Sequence, residues 1–315
     1  MKPVTLLYLK SVNISKRESK MSKRKMLVIT TILAVLVSSM VWVGTSRATF
    51  TPTSPLTIKV MSYNVLFGAG VDRQYDDFLL PELRNKNRLP ELVSFIEGAK
   101  LDILGIEEAN RWNRGDPRVV EQVAEQLEMN YYLAEAPNDF HVVLLTKFEI
   151  TEAKNLSGKE GDTVFETMRA LRATLLTPNE QSFNIFIVHL DPFSTKIRLY
   201  QLDALMDELE PYKGQTTILM GDMNFCVDWP EYTILEQAGW QHVALATDID
   251  QIWISPAANW TSKQLLILGS SARDLRGLSD HLPASAEISI YPTGAGTTMS
   301  TPYPYADRYV PGPDC

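Results

Sequence analysis

Thr216-Thr217-Ile218-Leu219-Met220-Gly221-Asp222-Met223-Asn224 is the stretch from which the fold can be read. Its β-branched and apolar residues suit a covered pleated surface, so the run reads as a buried strand. Gly221 is expected to let the chain turn, with Asp222 and Asn224 emerging at the strand end. Side chains two apart on an extended segment share a face, which sets a carboxylate beside an amide. Such a pair can activate a water and grip an oxyanion. Gly-Asp-x-Asn is also a common turn composition, so its weight comes from its company. Asn64, Glu108, His189, Asp250, Asp280 and His281 fall at predicted strand ends too.

Upstream, Leu56 to Met61 alternates like a strand and delivers Ser62-Tyr63-Asn64. Arg88 to Glu97 predicts a helix with Pro90 in its first turn, Leu89, Leu92, Val93 and Ile96 on one face, and Gly98 as its end. Leu101 to Ile106 is the next strand, ending in Glu107-Glu108. Asp116-Pro117 opens a second helix with Val120, Val123 and Leu127 inward. Strands follow at 142–146, 169–176 and 183–188, then a helix at 196–209 that carries Arg198 and Gln201. Beyond the quoted stretch come a helix near 231–238 and strands at 251–254 and 284–290. Strands and helices intermingle, which is the pattern of a layered α/β or α+β domain.

The chain of 315 residues is long enough to bury a full core. Residues 1–48 are expected to stand apart from the fold. Lys20, Lys23, Arg24 and Lys25 precede an uncharged run from Met26 to Gly44, and Ser46-Arg47-Ala48 offers small residues for cleavage. The segment reads first as a signal peptide and second as an uncleaved anchor, since its length is close to the ~20 residues that span a bilayer. Either reading exports the rest. Residues 49–55 form a Thr/Pro linker, 56–292 the domain, and 293–315 a Pro/Gly/Tyr-rich tail. Residues 1–48 carry nine of the 30 basic residues and one of the 38 acidic ones, leaving 21 against 37, a charge near −16. That field repels polyanions unless cations or a local basic patch offset it. Cys226 and Cys315 are the only cysteines and receive no role.

Six motifs occur in order: Met61-Ser62-Tyr63-Asn64, Asp102-Ile103-Leu104-Gly105-Ile106-Glu107-Glu108, Val188-His189-Leu190, Gly221-Asp222-Met223-Asn224, Ile249-Asp250-Gln251-Ile252 and Ser279-Asp280-His281. Together they resemble the endonuclease/exonuclease/phosphatase superfamily over about residues 56–292. The resemblance implies a four-layered α/β sandwich: two mainly antiparallel sheets face to face, helices outside, and an active site where both sheets present strand ends. It also implies hydrolysis of a phosphodiester with Mg²⁺, or Mn²⁺ or Ca²⁺ in its place. Such an ester repels its nucleophile, so a hard cation and fixed donors must absorb the charge developing at phosphorus. Magnesium needs few carboxylates because it keeps several waters. By resemblance, Glu108 is the principal metal ligand, assisted by Asn64 and Asp280. Asp222 orients or deprotonates the attacking water, Asn224 holds that water or the phosphate, and His189 donates to the non-bridging oxygens. Asp250 orients His281, whose imidazolium supports the transition state.

The substrate the resemblance implies is a nucleic acid or a phospholipid, with no obligate protein partner. Gln251 stands where the inositol 5-phosphatase motif has Arg, and Phe225 follows Asn224 with no Arg nearby, which disfavours that branch. A phosphomonoesterase and a catalytically silent binding protein, anchored to a membrane through residues 26–44, are the alternatives. Glu107 stands where the family usually has Gln, and strand alternation turns it away from Glu108 toward a solvated or structural role. His141, His242 and Asp102 read as structural, and Arg198 and Gln201 as packing or helix-surface residues. Asp191 either touches the metal or caps the turn before Pro192.

Overall fold

The structure, a computed structural model, describes residues 55–68, 87–158, 168–246, 249–256, 258, 260–264 and 278–291. The segment at 1–48 expected to be a signal peptide or anchor, nearly all of the expected 49–55 linker and the expected tail at 293–315 lie outside them. Among the described residues are twelve strands and four α-helices. In chain order they begin β1 (Leu56–Asn64), α1 (Leu89–Ala99), β2 (Ile103–Glu107), α2 (Val119–Gln126), β3 (Asn130–Ala134) and β4 (Val142–Thr146). Then come β5 (Glu149–Asn155), β6 (Arg169–Leu176), β7 (Ser182–His189), α3 (Thr195–Leu209) and β8 (Thr217–Asp222). The last are α4 (Pro230–Gln237), β9 (Gln241–Ala246), β10 (Asp250–Ile254), β11 (Trp260–Gln264) and β12 (Ala284–Ile290).

The strands form two six-stranded sheets, ordered β11-β12-β1-β2-β4-β3 and β5-β6-β7-β8-β10-β9. Pairing is antiparallel except for β1 with β2 and β7 with β8. Between the sheets lies one apolar layer that includes Ile58, Ile103, Leu144, Ile185, Ile218, Ile252 and Ile288. A second cluster joins α1 and α2 to the outer face of the first sheet through Leu92, Ile96, Val120 and Val123. A third joins α3 and α4 to the second sheet through Leu202, Leu205 and Leu235. The result is the expected four-layered sandwich. Both faces of β2 and β8 are covered, which is why every residue of each is buried.

The two parallel pairs gather the site. In β1 and β2 they align Asn64 with Glu107, and in β7 and β8 His189 with Asp222. Because β10 runs against β8, its first residue, Asp250, also lies opposite Asp222. Gly221 does not end the strand as anticipated. It stays inside β8 at φ +151°, where an added Cβ would lie 1.9 Å from the carbonyl oxygen of Val188. Its missing side chain allows β8 to close against β7, and the turn comes later, at Asn224 with φ +52°.

Gly98 lies within α1, whose left-handed cap is Lys100. The second helix begins at Val119, beyond Asp116-Pro117, with the Arg118 amide donating to the Glu121 carboxylate at 2.8 Å. Four strands had no counterpart in the sequence reading: β3, β5, β9 and β11. They are the four sheet edges. An edge strand is partly solvated and pairs on one side only, so it need not show the apolar run or clean alternation of an interior strand. In β5, five of seven residues are exposed.

Candidate active site

Asn64 ends β1 with its side chain buried between the sheets. Its Oδ1 accepts from the Leu66 amide at 3.0 Å, which fixes the amide plane. Its Nδ2 is thereby aimed at two carboxylates, Asp222 Oδ2 at 3.0 Å and Glu108 Oε1 at 3.2 Å. Glu108 leaves β2 at φ +56°, out of the alternation of the strand before it. Asp222 Oδ1 accepts from the Asn224 amide at 3.0 Å. The Asn224 side chain crosses to the Leu190 carbonyl at 3.1 Å, tying the β8 turn to the loop after β7.

Two histidines face Asp222. His189 Nε2 lies 3.6 Å from Asp222 Oδ2 and 3.9 Å from Glu108 Oε1. His281 Nε2 lies 3.8 Å from Asp222 Oδ2, and its Nδ1 is 2.8 Å from Asp250 Oδ2. Asp280, the most exposed of the group, sits at the rim, 4.0 Å from His281 Nε2. Ser279 holds this last loop against β1: its hydroxyl donates to the Asn64 carbonyl at 2.7 Å and accepts from the His281 amide at 3.2 Å. All eight residues singled out in the sequence as catalytic or metal-holding therefore come to one end of the sandwich.

Electrostatics divides the two rings. Burial pushes His189 down to about 4 despite the Asp222 carboxylate, and Arg169 and His281 push it further the same way. Its ring is neutral at physiological pH. Burial opposes charge on His281 too, but Asp250 and Asp222 outweigh it and hold the imidazolium well above the ordinary range. Burial raises Glu108 to about 7, with Asp280 and Asp222 adding to the rise while His281 and the Asn64 amide oppose it. Carboxylates crowded in this way are short of counter-charge.

That crowding, and the oxygen donors of Glu108 and Asp280, fit a hard divalent cation. Asn64, expected as a further ligand, turns Nδ2 and not its oxygen toward the carboxylates and so steadies Glu108 instead. Asp222, Asp250 and His281 also present potential ligand atoms within 4.8 Å of one another. This triad is the poorer cage, because His281 spends Nδ1 on Asp250 and carries its own positive charge.

Glu107 departs from the solvated alternative. It is fully buried, accepts from the Ser62 hydroxyl at 2.8 Å, and is held well above the usual carboxylate range, first by burial. Alternation places it with Ile103 and Gly105 on the face between the sheets, near enough to Asp250 and Asp222 for both to oppose its charge. It is therefore enclosed by the core beside the site and not turned toward water. Asp191 is a cap: its Oδ1 accepts from the amides of Phe193 and Ser194 at 2.9 and 2.7 Å. His141 and His242 lie outside the cluster. Arg88, missed in the sequence, is buried and donates to the carbonyls of Val65 and Leu66, supporting the loop after Asn64. Its only sequence signal was its place before Leu89-Pro90.

A family model described as Endonuclease/Exonuclease/phosphatase family matches residues 61–281, spanning every residue of this cluster. No curated protein matches the chain significantly. Among solved structures, ANGEL2, a 2',3'-cyclic phosphatase, superposes with a TM-score of 0.62 at 15% identity, covering 75% of this chain and 95% of that one. An endonuclease/exonuclease/phosphatase family protein from Bacteroides thetaiotaomicron gives 0.57 at 17% identity, with 75% and 98% covered. A mannosyl-6-phosphatase from Bacteroides thetaiotaomicron VPI-5482 gives 0.53 at 18%, with 73% and 99% covered. At these identities the likeness shows the fold.

Proposed function

The chain belongs to the endonuclease/exonuclease/phosphatase family, a superfamily of phosphoesterase-type hydrolases, and on that premise we propose that it is a divalent-cation-dependent phosphodiesterase acting outside the cytoplasm. The observation that carries the reading is the set of groups around the Asp222 carboxylate. Asn64 bonds it at 3.0 Å, and His189 and His281 stand 3.6 and 3.8 Å away. A buried carboxylate so placed suits the orientation or deprotonation of an attacking water.

Glu108, and Asp280 from the rim, would hold the cation, with Asn64 steadying the Glu108 carboxylate through Nδ2. When bound, it supplies Lewis-acid stabilisation of charge on the phosphoryl oxygens. Neutral His189 donates one N–H to a non-bridging oxygen, and Asn224, its amide plane fixed by Leu190, keeps water and phosphate in register. The His281 imidazolium faces the site through Nε2 while Asp250 fixes Nδ1, so a positive donor is already oriented when charge builds. None of these groups must move far, and that is the advantage of placing them on strand ends.

The test is hydrolysis by the full chain of bis(p-nitrophenyl) phosphate, p-nitrophenyl phosphate, plasmid DNA and sphingomyelin, in Mg²⁺ and in EDTA. EDTA-sensitive turnover of a diester supports the reading, and a natural substrate among them selects the nuclease or phospholipase branch. Turnover of the monoester alone replaces it with a phosphomonoesterase, the bond that a mannosyl-6-phosphatase neighbour would suggest. Silence on all four leaves the binding-protein alternative. Export rests on the basic and apolar run before residue 49, and N-terminal sequencing of secreted material should begin near Thr49. An intact N-terminus in the membrane fraction would instead identify an anchor.

A further inference from the structure

The loop after His189 has more support than a strand-to-helix turn requires. The Asp191 amide donates to Gln201 Oε1 at 2.8 Å, and its carbonyl accepts from Arg198 Nη1 at 3.0 Å. One residue earlier, the Leu190 amide donates to the Asp222 carbonyl at 3.1 Å and the Leu190 carbonyl accepts from Asn224 Nδ2, also at 3.1 Å. Residues 190 and 191 therefore join the strand end bearing His189 to the turn bearing Asp222 and Asn224.

Arg198 extends this junction. It is the fourth residue of α3, the position where an apolar side chain commonly folds against the residue before the cap. Here the guanidinium turns inward at 2% exposure, and Phe193, the residue before the Ser194 cap, is left 89% exposed. Arg198 Nε donates to Glu231 Oε1 at 3.0 Å and Nη2 to Thr195 Oγ1 at 2.9 Å. Its guanidinium carbon lies 5.0 Å from the centroid of the Trp229 ring. Trp229 caps α4, the helix that follows Asn224 and Phe225, and fully buried Glu231 lies in its first turn. One guanidinium thus touches the segments that follow both catalytic strand ends. A buried ion pair contributes little stability beyond apolar residues of equal volume, whereas a planar fork fixes several partners together.

We propose that Arg198, seated on Glu231, is a positioning residue that sets the spacing between the His189 loop and the Asn224 turn, with Gln201 as a second prop. Its consequence for turnover rests on the phosphodiesterase reading; its consequence for the loops does not.

The paired replacement Arg198→Met with Glu231→Leu removes both charges at similar volume and leaves neither partner orphaned. Two readouts follow: backbone hydrogen exchange over residues 189–194 and 222–226, and steady-state kinetics on bis(p-nitrophenyl) phosphate. The expected result is a melting temperature near that of the parent, joint loss of protection in both segments, and kcat reduced at least tenfold with KM little changed. Arg198→Lys keeps the charge without the fork and should fall between, and it serves as the test if the paired variant does not fold. Parental protection in both segments, loss confined to one, or unchanged kcat in an active chain would overturn the proposal. If the parent hydrolyses no diester, the phosphodiesterase reading fails, and exchange still decides the spacing role.

Discussion

His281 and His242 lean on the same strand, β10, under opposite conditions. His281 meets its first residue, with Nδ1 2.8 Å from Asp250 Oδ2. His242 meets the strand at Trp253, stacked on the indole at 4.8 Å between centroids, with Nδ1 3.3 Å from the Tyr232 hydroxyl. Burial opposes charge on both rings. Asp250 and Asp222 overcome it at His281, whereas His242 is pushed down to about 4. Burial alone keeps such a ring neutral, and it becomes a fixed cation only where neighbouring carboxylates outweigh the burial, which they do at His281 and do not at His189.

The largest expected break in this comparison is His281→Ala. Removing a donor aimed at developing charge should lower kcat about a thousandfold or more on whichever ester is the substrate. Circular dichroism should show the same secondary structure, since His281 lies in the loop before β12 and in no helix or strand. A kcat within tenfold of the parent would mean that the ring does not face the reacting phosphate. Asp250→Asn should follow at about a hundredfold, because the ring keeps its place but loses the carboxylate that holds its proton and tautomer. A pH–rate profile would separate the effects: losing Asp250 should bring the loss of activity on the alkaline side to lower pH.

The comparison sharpens at the neighbouring residues Glu107 and Glu108. Glu108→Gln removes a charge from the proposed cation site and should raise the Mg²⁺ concentration needed for half-maximal activity by about tenfold or more. Glu107→Gln should change that requirement less than about twofold, because burial already disfavours charge on this carboxyl and an amide can still accept from Ser62. Equal effects would show that Glu107 also serves the cation. Titration of activity with Mg²⁺ in the two variants decides it.

How much of this was legible follows a physical line. Interior strands announced themselves because two covered faces demand apolar runs, and β4, β6 and β12 fall where the sequence placed them. The edge strands did not, because half of their surroundings is water. Among site residues, Asn64, His189 and Asp222 were legible as polar residues closing apolar runs and Asp250 as one opening such a run, where satisfying them needs a partner from another strand. Arg198 was not. A helix has many polar positions, and only the tertiary neighbours Glu231 and the Asp191 carbonyl distinguish this one. The same limit hid the destination of Glu107, since alternation assigns a face but not what covers it.

The smallest expected effect on turnover belongs to His242→Phe, and it tests the neutral half of the comparison. The residue lies outside the catalytic cluster, so kcat should stay within about twofold. Stability should change with a definite sign. The folded pKa of His242, about 4, lies below the ordinary 6.5, so between those values the unfolded chain binds more protons. Stability from the neutral ring is therefore fully present above pH 6.5 and is lost as pH falls toward 4, by up to about 3 kcal/mol. Phenylalanine cannot titrate, so the variant should lack this loss while retaining the one from His189. At pH ~7.5 it should be about 1 kcal/mol less stable than the parent, because the Tyr232 hydroxyl loses its partner. Urea unfolding at pH values of about 7.5, 5.5 and 4.5 should give stability curves that converge and then cross. Parallel curves would mean that the ring is protonated in the folded chain, and the contrast with His281 would then rest on geometry alone.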